Sequence, residues 1–136
     1  MFLLDTNVIS EIRKGKKAHP GVQHFFETAD PNSAFLSVIT IGEIRRGVAM
    51  LTYRGDLQQA NLLDTWLLNL VSEFADRILD FDADCAQVWG KLMCPHNQHP
   101  IDKQIAAIAL IHGLDVVTRN ERDFMGTGVR VINPFS

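Results

Sequence analysis

Short apolar segments alternate along the whole chain with longer stretches of helical periodicity. The short segments occupy residues 2–4, 34–38, 78–81, 115–118 and 129–132. Between them, apolar residues recur at the three- and four-residue spacing of helices that bury one face. Short strands that are apolar on both faces are typical of a parallel sheet covered by helices on each side. The pattern therefore predicts an α/β fold with a mainly parallel central sheet of about five short strands flanked by helices.

Residues that favour helix ends divide the remaining chain into predicted helices. Gly15 and Gly113 are suited to follow a helix, Asp82 to cap one and Pro100 to begin one. The predicted helices lie at residues 8–12, 19–29, from Thr40 to 51, 54–77, 83–92 and 100–112, with a loop over 119–128. Since the chain contains no internal repeat, low-complexity tract or linker, we expect a single domain over residues 1–136.

Composition restricts the functional classes only mildly. With 136 residues and 46% hydrophobic content, the chain can build a core without disulfides or a structural metal. The formal net charge of −3 argues against a simple basic module that binds nucleic acid. It does not exclude a nuclease, because a bound divalent ion changes the sign of the local field.

The start of the chain predicts a cytoplasmic protein. A charge stands at Asp5 with no basic region before it, which is unlike a signal peptide. No apolar run reaches the length of about 18 residues expected of a membrane span. We therefore expect no membrane association, and we expect Cys85 and Cys94 to be reduced.

Four acidic residues are predicted to meet at one edge of the sheet. Asp5 follows the first strand, Glu43 lies a few residues beyond the second, and Asp123 follows the fourth. Asp102 stands near the start of the helix that leads into the fourth strand. Because open parallel sheets bind ligands at the carboxyl ends of their strands, these positions predict one crevice that contains all four carboxylates.

Such a group of carboxylates implies a bound cation. Carboxylates packed together repel one another, so one must take up a proton or a cation must lie between them. Hard oxygen ligands favour Mg²⁺ or Mn²⁺. An ion held by carboxylates and water is suited to phosphodiester hydrolysis, because it polarises the phosphate and activates a water molecule.

Each of the acids also has a purely structural interpretation, which the sequence leaves open. Asp5 could cap the first helix, and Thr40 with Glu43 has the spacing of a capping box. Asp102 could stabilise the first turn of its helix through the helix dipole. Asp123 could form an Asx turn.

Two further groups of side chains are candidates for a functional role. Cys94, His96 and His99 are metal-binding residue types, but their spacing matches no standard zinc motif, so a surface loop is the better interpretation. Arg119 and Arg122 flank the predicted crevice and are placed to contact a phosphate backbone.

At these residues the chain resembles PIN-domain proteins, and specifically the VapC/FitB type of ribonuclease toxin from VapBC toxin–antitoxin modules. The similarity follows the order of the chain and covers most of it. The matching segments are residues 3–11, 36–44 with Arg46-Gly47, 100–102 before 105–107, and 117–120 before 123–124.

The resemblance implies a function and a set of site residues. It implies a Mg²⁺- or Mn²⁺-dependent endoribonuclease that acts on tRNA or rRNA. It further implies a homodimer and a VapB-like antitoxin, and operator DNA would be bound only through that antitoxin. The implied catalytic acids are Asp5, Glu43, Asp102 and Asp123, of which Asp5, Asp102 and Asp123 would hold the metal. The implied supporting residues are Thr6, Thr118 and Asn120.

One departure from the family pattern lies next to the site. Lys103 follows Asp102 where a small residue is frequent in the family. Its ammonium group would either bind substrate phosphate or compete with the metal. Asp123 occupies the position that is least uniform in the family.

Two alternatives remain open from the sequence. The first is a regulatory PIN-fold protein that binds an antitoxin and controls transcription with little nuclease activity. A weaker alternative is a nuclease that acts on DNA or on structured flaps. Trp66, Leu67 and Leu70 form an apolar stripe that either completes the core or mediates self-association.

Overall fold

Five parallel strands form one central sheet in the computed structural model, which describes residues 1–136. The strands are β1 (Phe2–Leu4), β2 (Ala34–Ser37), β3 (Ile78–Leu79), β4 (Asp115–Val117) and β5 (Val131–Ile132). Their order in the sheet is β3-β2-β1-β4-β5, and every neighbouring pair is parallel. The predicted α/β architecture is therefore confirmed, with β1 at the centre.

Six α-helices connect and cover these strands. They are α1 (Thr6–Ile12), α2 (Pro20–Thr28), α3 (Val38–Tyr53), α4 (Leu57–Glu73), α5 (Ala83–Leu92) and α6 (Pro100–His112). Short 3₁₀ helices lie at Gly15–Lys17, Pro31–Ser33 and Glu121–Phe124. The segment 119–128, predicted as a loop, thus contains one helical turn.

Two predicted helix boundaries were wrong. Helix α3 begins at Val38 rather than at Thr40, because the Ser37 hydroxyl accepts a hydrogen bond from the Thr40 backbone N–H at 3.2 Å and caps the helix. Helix α4 is shorter than the predicted 54–77. Gly55, with a φ of +81°, makes a turn before it, and Asp56 caps its start.

The hydrophobic core occupies both faces of the sheet. Successive residues of a strand point to opposite faces, and Leu3 and Leu4 accordingly belong to two separate clusters. Leu4 packs with side chains from α1, α2 and α4, whereas Leu3 packs with Ile105 and Ile108 of α6. Helices therefore cover the sheet on both sides, as the apolar strands predicted.

The apolar stripe of α4 belongs mainly to the core. Leu67 and Leu70 are buried, so these two side chains are not available for self-association as one interpretation had it. The exposed leucines of the same helix are Leu57, Leu62 and Leu68. None of the helices combines the length and the apolar character that crossing a membrane requires. Both cysteine thiols are free.

Candidate active site

Asp5 is fixed at the carboxyl end of the central strand. Its side chain is 3% exposed, and its Oδ1 accepts a hydrogen bond from the Thr6 backbone N–H at 2.8 Å. The Thr118 hydroxyl donates to Oδ2 at 2.7 Å. Asp5 is also the N-cap residue of α1, so its structural and chemical interpretations are compatible. One carboxylate is thus held rigidly where β1 and β4 end side by side.

A small polar network joins the ends of these two strands. The Asn7 side-chain NH₂ donates to the Thr118 hydroxyl oxygen at 3.2 Å, and the Asn7 side-chain oxygen Oδ1 accepts from the Arg119 backbone N–H at 3.1 Å. The Asn120 backbone N–H donates to the same hydroxyl oxygen at 3.0 Å. Sequence reasoning assigned no role to Asn7, although its position two residues after Asp5 was a usable signal.

Glu43 is tied to the same edge through Thr6. The Thr6 hydroxyl lies 2.6 Å from Glu43 Oε1 and 3.1 Å from the buried Thr40 hydroxyl, and Thr6 donates to the carboxylate. Since Ser37 is the N-cap residue of α3, Thr40 and Glu43 do not form a capping box. The Glu43 carboxylate therefore faces the strand end and not the start of its own helix.

These contacts predict stability effects of different size for two alanine variants. Ser37→Ala removes the helix cap from a buried position and should lower the free energy of unfolding by about 1–2 kcal/mol. Glu43→Ala removes only an exposed contact with Thr6 and should change it by less than about 0.5 kcal/mol. Urea denaturation of the two variants beside the parent protein measures both values. A larger loss in Glu43→Ala than in Ser37→Ala would contradict the assigned helix start.

Asp102 lies close enough to the other three acids for all of their charges to act on it. It lies in the first turn of α6 and is half-buried. Burial, followed by the negative charges of Asp5, Asp123 and Glu43, raises the pKa of Asp102 to about 7. Burial also raises the pKa of Asp5, against the hydrogen bonds from Thr118 and Thr6 that favour its charged form. The four acids predicted to share a crevice thus lie close enough to perturb one another.

The acids divide between two adjoining parts of this edge. Asp5, Glu43 and Asp102 line an open cavity of about 260 Å³. Thr6, Asn7 and Asn120 line the same cavity. Asp123 approaches Asp102 from the 3₁₀ turn, and a carboxylate oxygen of each lies within 4.8 Å of the other. Asp102 therefore belongs to both parts.

His99 is a neighbour of the acids that sequence reasoning missed. Its Nε2 lies 3.5 Å from Asp123 Oδ1. One potential ligand atom from each of His99, Asp102 and Asp123 falls within 4.8 Å of the other two. The sequence had placed His99 in a surface loop with Cys94 and His96, and neither of those two belongs to this group.

The basic residues predicted near the site differ in what they contact. Arg119 and Arg122 line a cavity of about 300 Å³ beside Asp123, and the Arg119 guanidinium lies 4.9 Å from the centre of the Phe135 ring. The Lys103 ammonium donates to the backbone carbonyl of His96 at 2.9 Å. Lys103 therefore braces the loop that precedes α6.

The sequence and the fold place this arrangement in a known family. The family model described as PIN domain matches residues 2–127. This chain belongs to the PIN-domain family. It is 36% identical to the plasmid stability protein StbB of Pseudomonas syringae pv. tomato and 34% identical to toxin FitB of Neisseria gonorrhoeae, and each match covers 99% of both chains. It is 32% identical to VapC ribonuclease Y4jK of Sinorhizobium fredii, over 99% of this chain and 98% of the relative.

Solved structures agree with this assignment to the VapC/FitB type of PIN domain. The structure of FitAcB from Neisseria gonorrhoeae matches with a TM-score of 0.86 and 34% identity over 99% of both chains. DNA-bound VapBC from Salmonella typhimurium matches with a TM-score of 0.76 and 25% identity, over 98% of this chain and 97% of that one. The family predicted from the sequence motifs is therefore confirmed.

The acidic edge of this PIN domain has the donor chemistry that a divalent cation needs. Carboxylate oxygens are the ligands that Mg²⁺ and Mn²⁺ prefer. Burial, and after it the negative charges of Asp5, Asp123 and Glu43, raise the pKa of Asp102. A cation among these carboxylates would remove the repulsion that raises that pKa. The residues present therefore fit a divalent ion.

Proposed function

We propose that this PIN-domain protein is a Mg²⁺- or Mn²⁺-dependent endoribonuclease that acts as the toxin of a type II toxin–antitoxin module and hydrolyses tRNA or rRNA. The observation that carries the proposal is the convergence of Asp5, Glu43, Asp102 and Asp123 at the carboxyl edge of the sheet, where burial together with the charges of the other three acids raises the pKa of Asp102 to about 7. The relationship to a protein named VapC ribonuclease supports the same activity. We place the domain limits at residues 1–136, because β5 pairs with β4 beyond residue 127.

The four acidic side chains divide into metal ligands and a proton acceptor in this mechanism. Asp5, Asp102 and Asp123 would hold the ion, which when bound polarises the phosphate and activates water for attack. The Thr118 hydroxyl and the Thr6 backbone N–H orient the Asp5 carboxylate and favour its charged form. Glu43 has one oxygen fixed by Thr6, and its other oxygen is left to orient the attacking water and accept its proton.

Basic side chains beside the acids would bind the RNA backbone. Arg119 and Arg122 line the cavity next to Asp123, where guanidinium groups can contact phosphate oxygens. Lys103 would reach a phosphate only after releasing the His96 carbonyl. We therefore assign the main phosphate contacts to the two arginines. Asn120 and Thr118 would support the site from the same segment.

A metal-reversal experiment separates a nuclease from a regulatory protein. The purified chain is incubated with total RNA in EDTA and then with an excess of Mg²⁺ or Mn²⁺. The nuclease proposal predicts intact RNA in EDTA and discrete cleavage products after either ion is added. The regulatory alternative is compatible with the solved FitAB and VapBC complexes that are bound to DNA. It predicts no cleavage under any condition, and that result would replace the nuclease proposal.

A small antitoxin is the proposed protein partner, through which the module would bind its operator DNA. Similar chains occur in the FitAB and VapBC complexes, which have been solved bound to DNA. An apolar cavity of about 350 Å³ between α1, α2 and α4 offers a surface for the apolar side of an antitoxin segment, and Ile12, Phe26 and Trp66 are among its lining residues. A homodimer also remains a prediction, with Leu57, Leu62 and Leu68 as the exposed leucines of α4.

Antitoxin and metal are expected to compete for the acidic edge. A guanidinium group matches carboxylates in a bidentate manner, so an arginine of the antitoxin would occupy the place of the ion. Raising Mn²⁺ from micromolar to millimolar should weaken antitoxin binding by about tenfold or more. The antitoxin would bind only toxin whose metal site is empty, and that fraction falls as the Mn²⁺ concentration rises. Calorimetric titration of antitoxin into the toxin across that Mn²⁺ range measures the effect. An antitoxin affinity that does not change would mean inhibition by covering the RNA path.

A further inference from the structure

His99 stands at the acidic edge although it belongs to no predicted site. Its Nε2 is 3.5 Å from Asp123 Oδ1, and it shares a group of potential ligand atoms with Asp102 and Asp123 in which all separations are within 4.8 Å. Two atoms that bind one ion through bonds of about 2.1 Å lie roughly 3 Å apart when adjacent and about 4.2 Å apart when opposite. The observed separations are therefore those of a ligand set that closes on an ion with small adjustments.

The start of α6 determines where the imidazole lies. His99 is the N-cap residue, with φ and ψ both 53°, and Pro100 follows it in the first turn. The His99 carbonyl accepts the Lys103 backbone N–H at 3.0 Å, and the Pro100 carbonyl accepts the Trp89 indole N–H at 3.0 Å. Helix α5 and the first turn of α6 thus fix the backbone from which His99 reaches Asp123.

We propose that His99 is a direct ligand of the divalent ion, through Nε2 and together with Asp102 and Asp123, and that this nitrogen makes the site prefer Mn²⁺ to Mg²⁺. The inference rests on the proposed function, since the ion is the one assigned to the nuclease. Mg²⁺ is a hard cation that selects oxygen ligands. First-row transition ions accept imidazole increasingly from Mn²⁺ through Co²⁺. A nitrogen ligand therefore changes the relative affinities of these ions.

Removal of the imidazole tests the proposal through the loss of affinity for each of three metal ions. His99→Asn suits the left-handed backbone, because asparagine adopts that conformation more readily than most residues. His99→Gly also suits it and leaves no side-chain ligand. His96→Asn is the matched control, since its exposed side chain lies in the same loop and only its backbone carbonyl binds Lys103. Calorimetry with Mg²⁺, Mn²⁺ and Co²⁺ on all four proteins gives the affinities.

The expected losses in affinity are graded by ion. Both His99 variants should bind Co²⁺ and Mn²⁺ at least about tenfold more weakly, with the larger loss for Co²⁺, while Mg²⁺ affinity changes less than about threefold. Pulsed EPR of bound Mn²⁺ should show nitrogen coupling in the parent protein and in His96→Asn, and none in the His99 variants. If the variants did not fold, the presence or absence of nitrogen coupling in the parent protein would by itself decide whether a histidine binds the ion.

Other outcomes would overturn the assignment. Equal losses for all three ions would show that His99 acts only through its contact with Asp123, and an absence of nitrogen coupling in the parent protein would exclude the ligand directly. The proposed function fails differently: a protein that binds Mn²⁺ with nitrogen coupling but leaves RNA intact would keep the ligand assignment and lose the nuclease. Metal-dependent cleavage of RNA by a protein whose bound Mn²⁺ shows no nitrogen coupling would keep the nuclease and lose the ligand assignment.

Discussion

Asp5→Asn and Asp102→Asn are each expected to reduce metal-dependent RNA cleavage by at least about a hundredfold while the protein stays folded. Loss of an outer-shell partner at a metal site commonly costs about 10–100-fold, and loss of a ligand should cost more. Asparagine has the shape of aspartate but lacks the charge that holds a cation. Initial rates on a labelled RNA in Mn²⁺, with circular dichroism of each variant, measure the two effects.

The two variants should differ in stability. Asp5 accepts hydrogen bonds from Thr6 and from Thr118, whose hydroxyl oxygen already accepts from Asn7 and Asn120. The amide NH₂ of an asparagine at position 5 would face that hydroxyl, so Asp5→Asn should also destabilise the fold.

Asp76→Asn is the matched control for both activity losses. Its exposed carboxylate comes just before β3, at the amino edge of the sheet and therefore opposite the site. This variant should cleave RNA at the rate of the parent protein. Undiminished cleavage by Asp5→Asn or by Asp102→Asn would remove that residue from the catalytic set.

Asp102→Asn should stabilise the metal-free protein at pH 8. The pKa of Asp102 is raised from 3.8 to about 7, so the folded state binds a proton more tightly than the unfolded state does. Stability from this group therefore increases as the pH falls from above 7 towards 4, and at pH 8 the ionised carboxylate destabilises the fold. The raised pKa corresponds to about 4 kcal/mol, which we reduce to about 1 kcal/mol because Asp102 is only half-buried and solvent screens its charge.

Thermal melts in EDTA at pH 8 and pH 5 measure this effect. The variant should melt roughly 3 °C above the parent protein at pH 8, and the difference should be clearly smaller at pH 5, because it vanishes only near pH 4, where the carboxyl is protonated in the folded and unfolded states alike. Saturating Mn²⁺ at pH 8 should reverse the order, because only the parent retains the ligand. A variant that is less stable than the parent at pH 8 in EDTA would contradict the assigned repulsion among the acids.

The sequence predicted those parts of the fold that depend on local pattern. Leu3 and Leu4 are both apolar, which indicated a strand buried on both faces, and the structure places them in two different core clusters. The boundary of α3 was not predictable in the same way. Ser37 and Thr40 are both residues that cap helices, and Glu43 completed an apparent capping box. The competing contact between Glu43 and Thr6 joins residues 37 positions apart, and no local pattern reveals it.

Part of the candidate site was also predictable, for a geometric reason. Residues that follow neighbouring parallel strands meet at one edge, so Asp5 and Thr118 could be placed together before the structure was known. His99 could not, because a histidine in an exposed polar loop carries no signal of what lies opposite it. Its approach to Asp123 depends on how α6 packs against the segment 119–128.

Titration of Mn²⁺ with the purified protein, followed by the EPR signal of free Mn²⁺, tests most directly whether the acidic edge is a divalent-metal site. The parent protein at neutral pH should remove Mn²⁺ from solution in a saturable manner. Asp102→Asn should bind at least about a hundredfold more weakly, and Asp76→Asn should match the parent. Absence of saturable binding by the parent protein, or equal binding by Asp102→Asn, would contradict the account.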